Sequence, residues 1–227
     1  VRLCAIWSGK NTQRRPLRGW NSTSRAGPIW IAERDSSHIL SGPAISTLNL
    51  GPKTNDTRYW RNADARDAEA LAYLGAATFM ATFAFDHPGQ PMIEHLRQEH
   101  SAAYYAAALC DPAIDILLGE TPLGAPIGYA MVTPTAHPGL QQAGDIELKR
   151  IYLLGPWQGG GNGKDLLDRV FEVTEKRGAE RLLLSVYEKN VRAIGFYERA
   201  GFGAIGETVF MVGPVPFRDL VYARNMG

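Results

Sequence analysis

The chain has 227 residues, 45% of them hydrophobic and 21% charged, which is enough to bury one sizeable core and too apolar for a chain disordered throughout. Formal net charge is +1, so no global field recruits nucleic acid or an anionic membrane. Cys4 and Cys110 share no C-x-x-C or Cys/His spacing and no run reaches the ~18 apolar residues of a membrane span, which disfavours a disulfide scaffold, a zinc module and a transmembrane protein and leaves a reducing cytoplasm as the expected setting.

Residues 1–57 begin with Val, mix Gly, Pro, Ser, Thr and Asn with scattered Trp and Arg, and keep no period of 2 or 3.6. They are basic from Arg2 to Arg25, with no acidic residue before Glu33, superficially like a transit peptide. The expectation is a poorly ordered N-terminal extension, one origin being translation from beyond the natural start. A single domain, 58–227, follows.

That domain opens on a short strand at 58–61. Asp64 or Asp67 can cap the next helix, whose Leu71, Leu74, Thr78, Ala81 and Phe85 keep helical spacing up to the Pro88-Gly89 break. A second helical region is read over 92–109. Its His95 and His100 have no carboxylate or cysteine cluster beside them, so they are taken as partly exposed helix residues and no metal is expected. Strands follow at 114–118, 126–133 and 146–154, with a Gly/Pro/Gln-rich loop at 134–144 as a candidate border of an acceptor site. Over 163–177, Leu166, Leu167, Val170, Phe171 and Thr174 form one apolar stripe, and Gly178 stands where a C-cap glycine belongs. An apolar strand at 181–186, a helix from Asn190 to Ala200 stopped by Gly201, and strands at 204–212 and 217–223 complete an α/β fold.

Chemistry concentrates between strand 146–154 and the helix after it. Gly159, Gly160, Gly161 and Gly163 crowd a strand–loop–helix junction, where backbone N–H groups can approach a ligand closely and the helix end adds partial positive charge. A phosphate is the expected guest. A P-loop is excluded, because Gln158 replaces its first glycine and Asp165 its Mg²⁺-holding hydroxyl; the dinucleotide pattern G-x-G-x-x-G fails at Lys164 or Leu166. What remains is Q-x-x-G-x-G, from Gln158 through Asn162 to Gly163. One strand later stands N-x-x-A-x-x-F-Y-x-x-x-G-F, carried by Asn190, Ala193, Phe196, Tyr197, Gly201 and Phe202.

Together these motifs resemble the GCN5-related N-acetyltransferases (GNAT), over roughly residues 59–224. ELKRIYLL before the loop and GETVFMVG-x-x-x-x-R-D-L after it look like the polyamine-acetyltransferase (PaiA-like) branch. The resemblance implies a central mixed, mostly antiparallel twisted sheet flanked by helices. It implies acetyl-CoA as co-substrate without metal, its diphosphate on Gln158, Gly159, Gly160, Gly161, Asn162 and Gly163 and its pantetheine arm along the backbone of Ile151, Tyr152 and Leu153. Lys164 adds charge toward the phosphates or is a solvated first-turn lysine, and Asn190 binds cofactor, caps its helix, or both.

The implied reaction is direct attack of a neutral amine on the thioester, since an alkylammonium with pKa near ~10.4 has no free lone pair. Tyr197 maps onto the tyrosine that serves many relatives as general acid toward the thiolate. Glu147 is the candidate base, strand alternation setting it on the face of Lys149 and Ile151. A carboxylate five residues before the Asn is replaced by Ser185, and an ordered water is the other route. The acceptor is expected to be a polyamine or other small amine, with a peptide amino group as the alternative; a non-catalytic CoA sensor is the reading from another class. Neither nucleic acid nor membrane is expected as partner, and a homodimer is left open.

Overall fold

A computed structural model describes residues 59–227, and the expectations for residues 1–57 lie outside these described residues. Strands β1 (Tyr59–Asn62), β2 (Asp115–Glu120), β3 (Pro126–Pro134), β4 (Asp145–Leu153), β5 (Arg181–Tyr187), β6 (Gly203–Val212) and β7 (Val215–Asn225) form one open sheet. Their order is β1-β2-β3-β4-β5-β7-β6, antiparallel throughout except for the parallel β4–β5 pair. The mixed, mostly antiparallel sheet expected from the sequence is present.

Strand alternation sorts the core into two layers. Leu117, Ala130, Val132, Leu148, Leu182 and Leu184 pack with Leu166, Leu167 and Val170 of α4 (Asn162–Lys176) and Tyr197 of α5 (Val191–Arg199). Ile116, Leu118, Tyr129 and Met131, one residue out of phase, pack with Leu71 and Leu74 of α1 (Ala68–Phe83) and Tyr105 of α3 (Ala102–Cys110). Each fully buried aliphatic side chain contributes about 1.5–3 kcal/mol, so the layers hold the sheet between helices.

The helical region read over 92–109 is two helices, α2 (Gly89–Glu99) and α3. His100 leaves the helical conformation, and Ser101 starts a new helix by accepting a hydrogen bond from the Tyr104 N–H at 3.1 Å. His95 shares the buried face of α2 with Met92 and Leu96, and His100 closes that helix facing inward, correcting the expectation of partly exposed histidines: both are buried. The His95 ring lies 4.8 Å from that of Phe79, and His100 Nδ1 lies 3.0 Å from the Tyr105 hydroxyl. Burial holds both imidazoles below their ordinary pKa, His100 down to about 3.

The feature that positions the site is a bulge in β4. Met131 faces Arg150 and Val132 faces Leu148, so Lys149 has no opposite number. Before the bulge β4 pairs with β5 at Asp145, Ile146 and Glu147; after Leu183, β5 pairs only with β7. The two strands diverge as a V. Its closed end is clamped by Arg181, which donates to both carboxylate oxygens of Asp145 at 2.9 and 2.6 Å.

Candidate active site

Beyond Leu148, one edge of β4 keeps β3 as its partner and the other has no strand beside it. The V opens there into a solvent-open cleft. One wall is Leu148 to Tyr152, and the other is Ser185 to Tyr187. Asn190, Ala193 and Tyr197 of α5 and its cap line one end, while Phe79, Phe83 and His87 meet Phe210, Phe217 and Asp219 at the other.

The glycine loop stands at the end of the unpaired half of β4. Gly159, Gly160 and Gly161 have φ of +88°, +57° and +87°, a run of left-handed residues that side chains with a Cβ adopt only at a cost. A Cβ at any of the three would meet nothing within 4 Å, so the space before the loop is open to a guest. Gly161 is the N-cap of α4 and no side chain caps the helix; the Asn162 N–H is taken by the Gly159 carbonyl at 3.2 Å, and the Gly163 and Lys164 N–H groups follow it in the first turn, where a ligand or water can be received. Asn162 ties the loop down through Nδ2 to the Trp157 carbonyl at 2.7 Å. Gln158 bridges elements: its Nε2 donates to the Leu153 carbonyl at 3.0 Å and its Oε1 accepts from Arg192 at 2.9 Å. A left-handed glycine run at a helix N-terminus thus stands beside the unpaired edge of a strand.

Among the residues singled out by sequence, Ile151 and Tyr152 line the cleft together with Asn190 and Tyr197, while Leu153 carries the Gln158 bridge beside it. Asn190 caps α5, accepting from the Ala193 N–H at 3.2 Å. The Tyr197 ring packs against Phe196 and Phe202, and burial pushes its phenol pKa upward, with Tyr152 adding to the shift. Lys164 is well exposed and pairs with Asp168 at 2.6 Å one helical turn on.

Glu147 does not stand where alternation set it. The bulge at Lys149 inverts the parity of β4, so Ile151 joins Ile146 and Leu148 on the α4 side and Glu147 lies on the opposite face. Its buried carboxylate accepts from the Ala136 N–H at 3.3 Å and lies 3.4 Å from His137 Nε2. The cleft is lined instead by a carboxylate that the motifs passed over, Asp219 on β7. Burial pushes its pKa up to about 6, the Ser185 hydroxyl working against the shift and Glu188 adding to it. The R-D-L triplet held it in view, but nothing local marked it as facing a cleft. The loop at 134–144, expected to border the site, packs Leu140 against Gly206 instead and contributes no residue to the lining.

Among the described residues, no helix is long and apolar enough to cross a membrane. Residues 76–202 match the acetyltransferase (GNAT) family model. The chain is 31% identical over 160 residues to an uncharacterized N-acetyltransferase of Mycobacterium tuberculosis, covering 70% of this chain and 98% of that one. A spermine/spermidine N(1)-acetyltransferase of Bacillus subtilis is 33% identical over 78 residues, 34% of this chain and 51% of the relative. In fold, the PaiA N-acetyltransferase of Thermoplasma acidophilum, solved with coenzyme A, superposes with a TM-score of 0.61 at 19% identity, covering 74% and 98% of the two chains. With its split β4–β5 pair, its glycine loop and these matches, the chain belongs to the GNAT acetyltransferase family.

Proposed function

We propose that this protein transfers the acetyl group of acetyl-CoA to the primary amine of a small molecule by direct attack on the thioester. The observation that carries the reading is the V between β4 and β5, whose unpaired strand edge runs from the left-handed glycine loop to Tyr197 and into a cleft. In this reading the loop from Gln158 to Gly163 receives the diphosphate on its unbonded amides, the Gln158 and Asn162 N–H groups being held by the Gly155 and Gly159 carbonyls, and the unpaired edge of Ile151 to Leu153 meets the pantetheine arm, with the Leu153 carbonyl already accepting from Gln158. Tyr197 then donates a hydrogen bond to the departing thiolate. Its raised pKa makes it a weak acid, so stabilisation of the sulfur rather than complete proton transfer is its contribution.

The names of the relatives, a spermine/spermidine acetyltransferase among them, support a small amine as acceptor. The test is calorimetric titration of the protein with CoA, with and without Mg²⁺, followed by thiol release from acetyl-CoA across a panel of amines. Binding independent of Mg²⁺ together with amine-dependent thiol release is expected. Tight binding with no turnover on any amine or peptide would instead assign a CoA sensor.

A further inference from the structure

The cleft end opposite the glycine loop is built mainly from rings. Phe217 stacks on His87 with ring centres 3.8 Å apart and planes at 0°, and Tyr187 stands edge-on to both at 5.7 and 5.6 Å. Phe83 lies 5.1 Å from His87, and Phe210 lines the same end. Aromatic faces around a cavity attract a desolvated cation and an apolar body alike.

Into these rings comes one carboxylate without a cationic partner among the described residues, Asp219. The other carboxylates on this face are engaged. Asp86 accepts from the Tyr187 hydroxyl at 2.6 Å and contacts His87 Nδ1 at 2.8 Å and Lys189 at 3.4 Å. Glu99 holds Arg150 at 3.0 Å, and Glu147 is turned to Ala136 and His137. The other charged residues lining the cleft are Lys149 and Arg150, which repel further positive charge. A polyamine brings two or more additional ammonium groups to a site with one carboxylate to receive them.

We propose that this end of the cleft is a cage for a single ammonium group carried on an apolar body, such as an arylalkylamine, and that Asp219 is the base that frees its lone pair. The inference rests on the acetyl-transfer reading and adds to it the acceptor class and the base. The ammonium gives one proton to the Asp219 carboxylate, which passes it to water. The neutral nitrogen bonds to the thioester carbon, the C–S bond breaks with its electron pair on sulfur, and the second proton lost by nitrogen neutralises the thiolate. Ammonium and acetyl-CoA thus yield amide, CoA thiol and one released proton. A carboxyl group near 6 facing an ammonium near ~10 deprotonates about one amine in 10⁴, and enclosure between rings narrows the gap by lowering the ammonium's own pKa.

The groups that share the cleft with Asp219 are Ser185 and Tyr187 from β5, His87 held by Asp86, Lys149, Arg150 and Tyr152 from β4, and Tyr197 from α5; Glu188, just after β5 and paired with Arg218 at 2.7 Å, acts on it from outside the lining, and β6 sets Thr208 opposite it. Phenethylamine, hexylamine and spermidine are compared by thiol release from acetyl-CoA. Phenethylamine should exceed spermidine at least tenfold in kcat/KM. Asp219→Asn should lower kcat/KM for phenethylamine about 100-fold or more at pH 7, with CoA affinity unchanged. It should also remove the acidic limb near pH 6, leaving a rate that climbs toward the amine's own pKa. His87→Phe, which keeps a ring in the same wall, is the control and should retain that limb. Preference for spermidine, or a superimposable pH profile in Asp219→Asn, overturns the proposal while acetyl transfer stands; absence of CoA binding overturns both. If Asp219→Asn does not fold, Phe210→Ala decides, since it should raise KM for phenethylamine and not for methylamine, and equal effects overturn the cage.

Discussion

Placing a carboxylate on the glycine loop separates backbone strain from ligand binding. Gly161 has φ +87° and ψ −10°, and a Cβ there meets nothing within 4 Å, so Gly161→Asp costs the fold only the left-handed conformation, about 1–2 kcal/mol. For a domain of this size that lowers Tm by roughly 2–8 °C. Binding suffers far more. A carboxylate about 5 Å from a diphosphate charge, at an effective dielectric near 20, is repelled by about 3 kcal/mol per charge pair, which raises the CoA Kd about 100-fold or more. Gly178 supplies the control at the other end of α4, with φ +67° and equally open space. The 15 residues of α4 and Arg177 separate the two glycines, roughly 25 Å at helical rise, beyond the Debye length of physiological salt. Gly178→Asp should therefore lose similar stability and keep CoA affinity. Thermal melts and calorimetry on both variants read the two effects independently. A folded Gly161→Asp with a CoA Kd within about threefold of wild type, or equal loss in Gly178→Asp, would refute the assignment of the loop to the diphosphate.

Tyr197→Phe keeps the buried ring and removes the hydroxyl, so kcat should fall by about 10²-fold, the low end for acid catalysis given the raised pKa, while calorimetry finds CoA affinity unchanged. Asp219 carries a stability signature of its own: its folded pKa of about 6 lies above the ~3.9 of an unfolded Asp, so the folded state favours the protonated form. That contribution is complete below pH 4 and is lost as pH rises through 6, on the order of 2–3 kcal/mol by pH 8; Asp219→Asn should then melt several degrees above wild type at pH 8, with the gap closing at pH 4, and a pH-independent gap would contradict it. Gly75→Ala would set a Cβ 2.1 Å from His100 Nδ1 and 2.6 Å from the Tyr105 hydroxyl, inside the buried chain from His100 through Tyr105 to Tyr129, and should cost about 1–3 kcal/mol in urea unfolding. A urea midpoint equal to wild type would mean that the histidine ring can move aside.

Local chemistry made much of this protein readable from its residues. The glycine run gives the backbone access to left-handed conformations that Gly159, Gly160 and Gly161 adopt, Asn190 caps the helix that follows it, and the stripe of Leu166, Leu167, Val170 and Thr174 is buried as its spacing demands. These are consequences of one residue, or of one helical turn, acting on its own backbone. The strands and their order of appearance follow for the same reason, as does the family, whose two motifs lie one strand apart.

Glu147 and Asp219 show where that reach ends. Period-2 alternation holds only while each residue has an opposite number, and the bulge at Lys149, set by how β3 and β4 register, put Ile151 on the opposite face from Glu147. The burial of His95 and His100 comes from packing rather than pattern, through Phe79 and Tyr105 on neighbouring helices. Asp219 titrates unlike a surface aspartate because β5, β7 and the turn after α1 close around it, bringing together residues more than a hundred positions apart. Backbone conformation and helix faces depend on a few neighbouring residues and are determined by the sequence read locally. Which strands diverge, which face a carboxylate takes and how dry its surroundings become depend on contacts between distant segments, and those the tertiary structure alone decided.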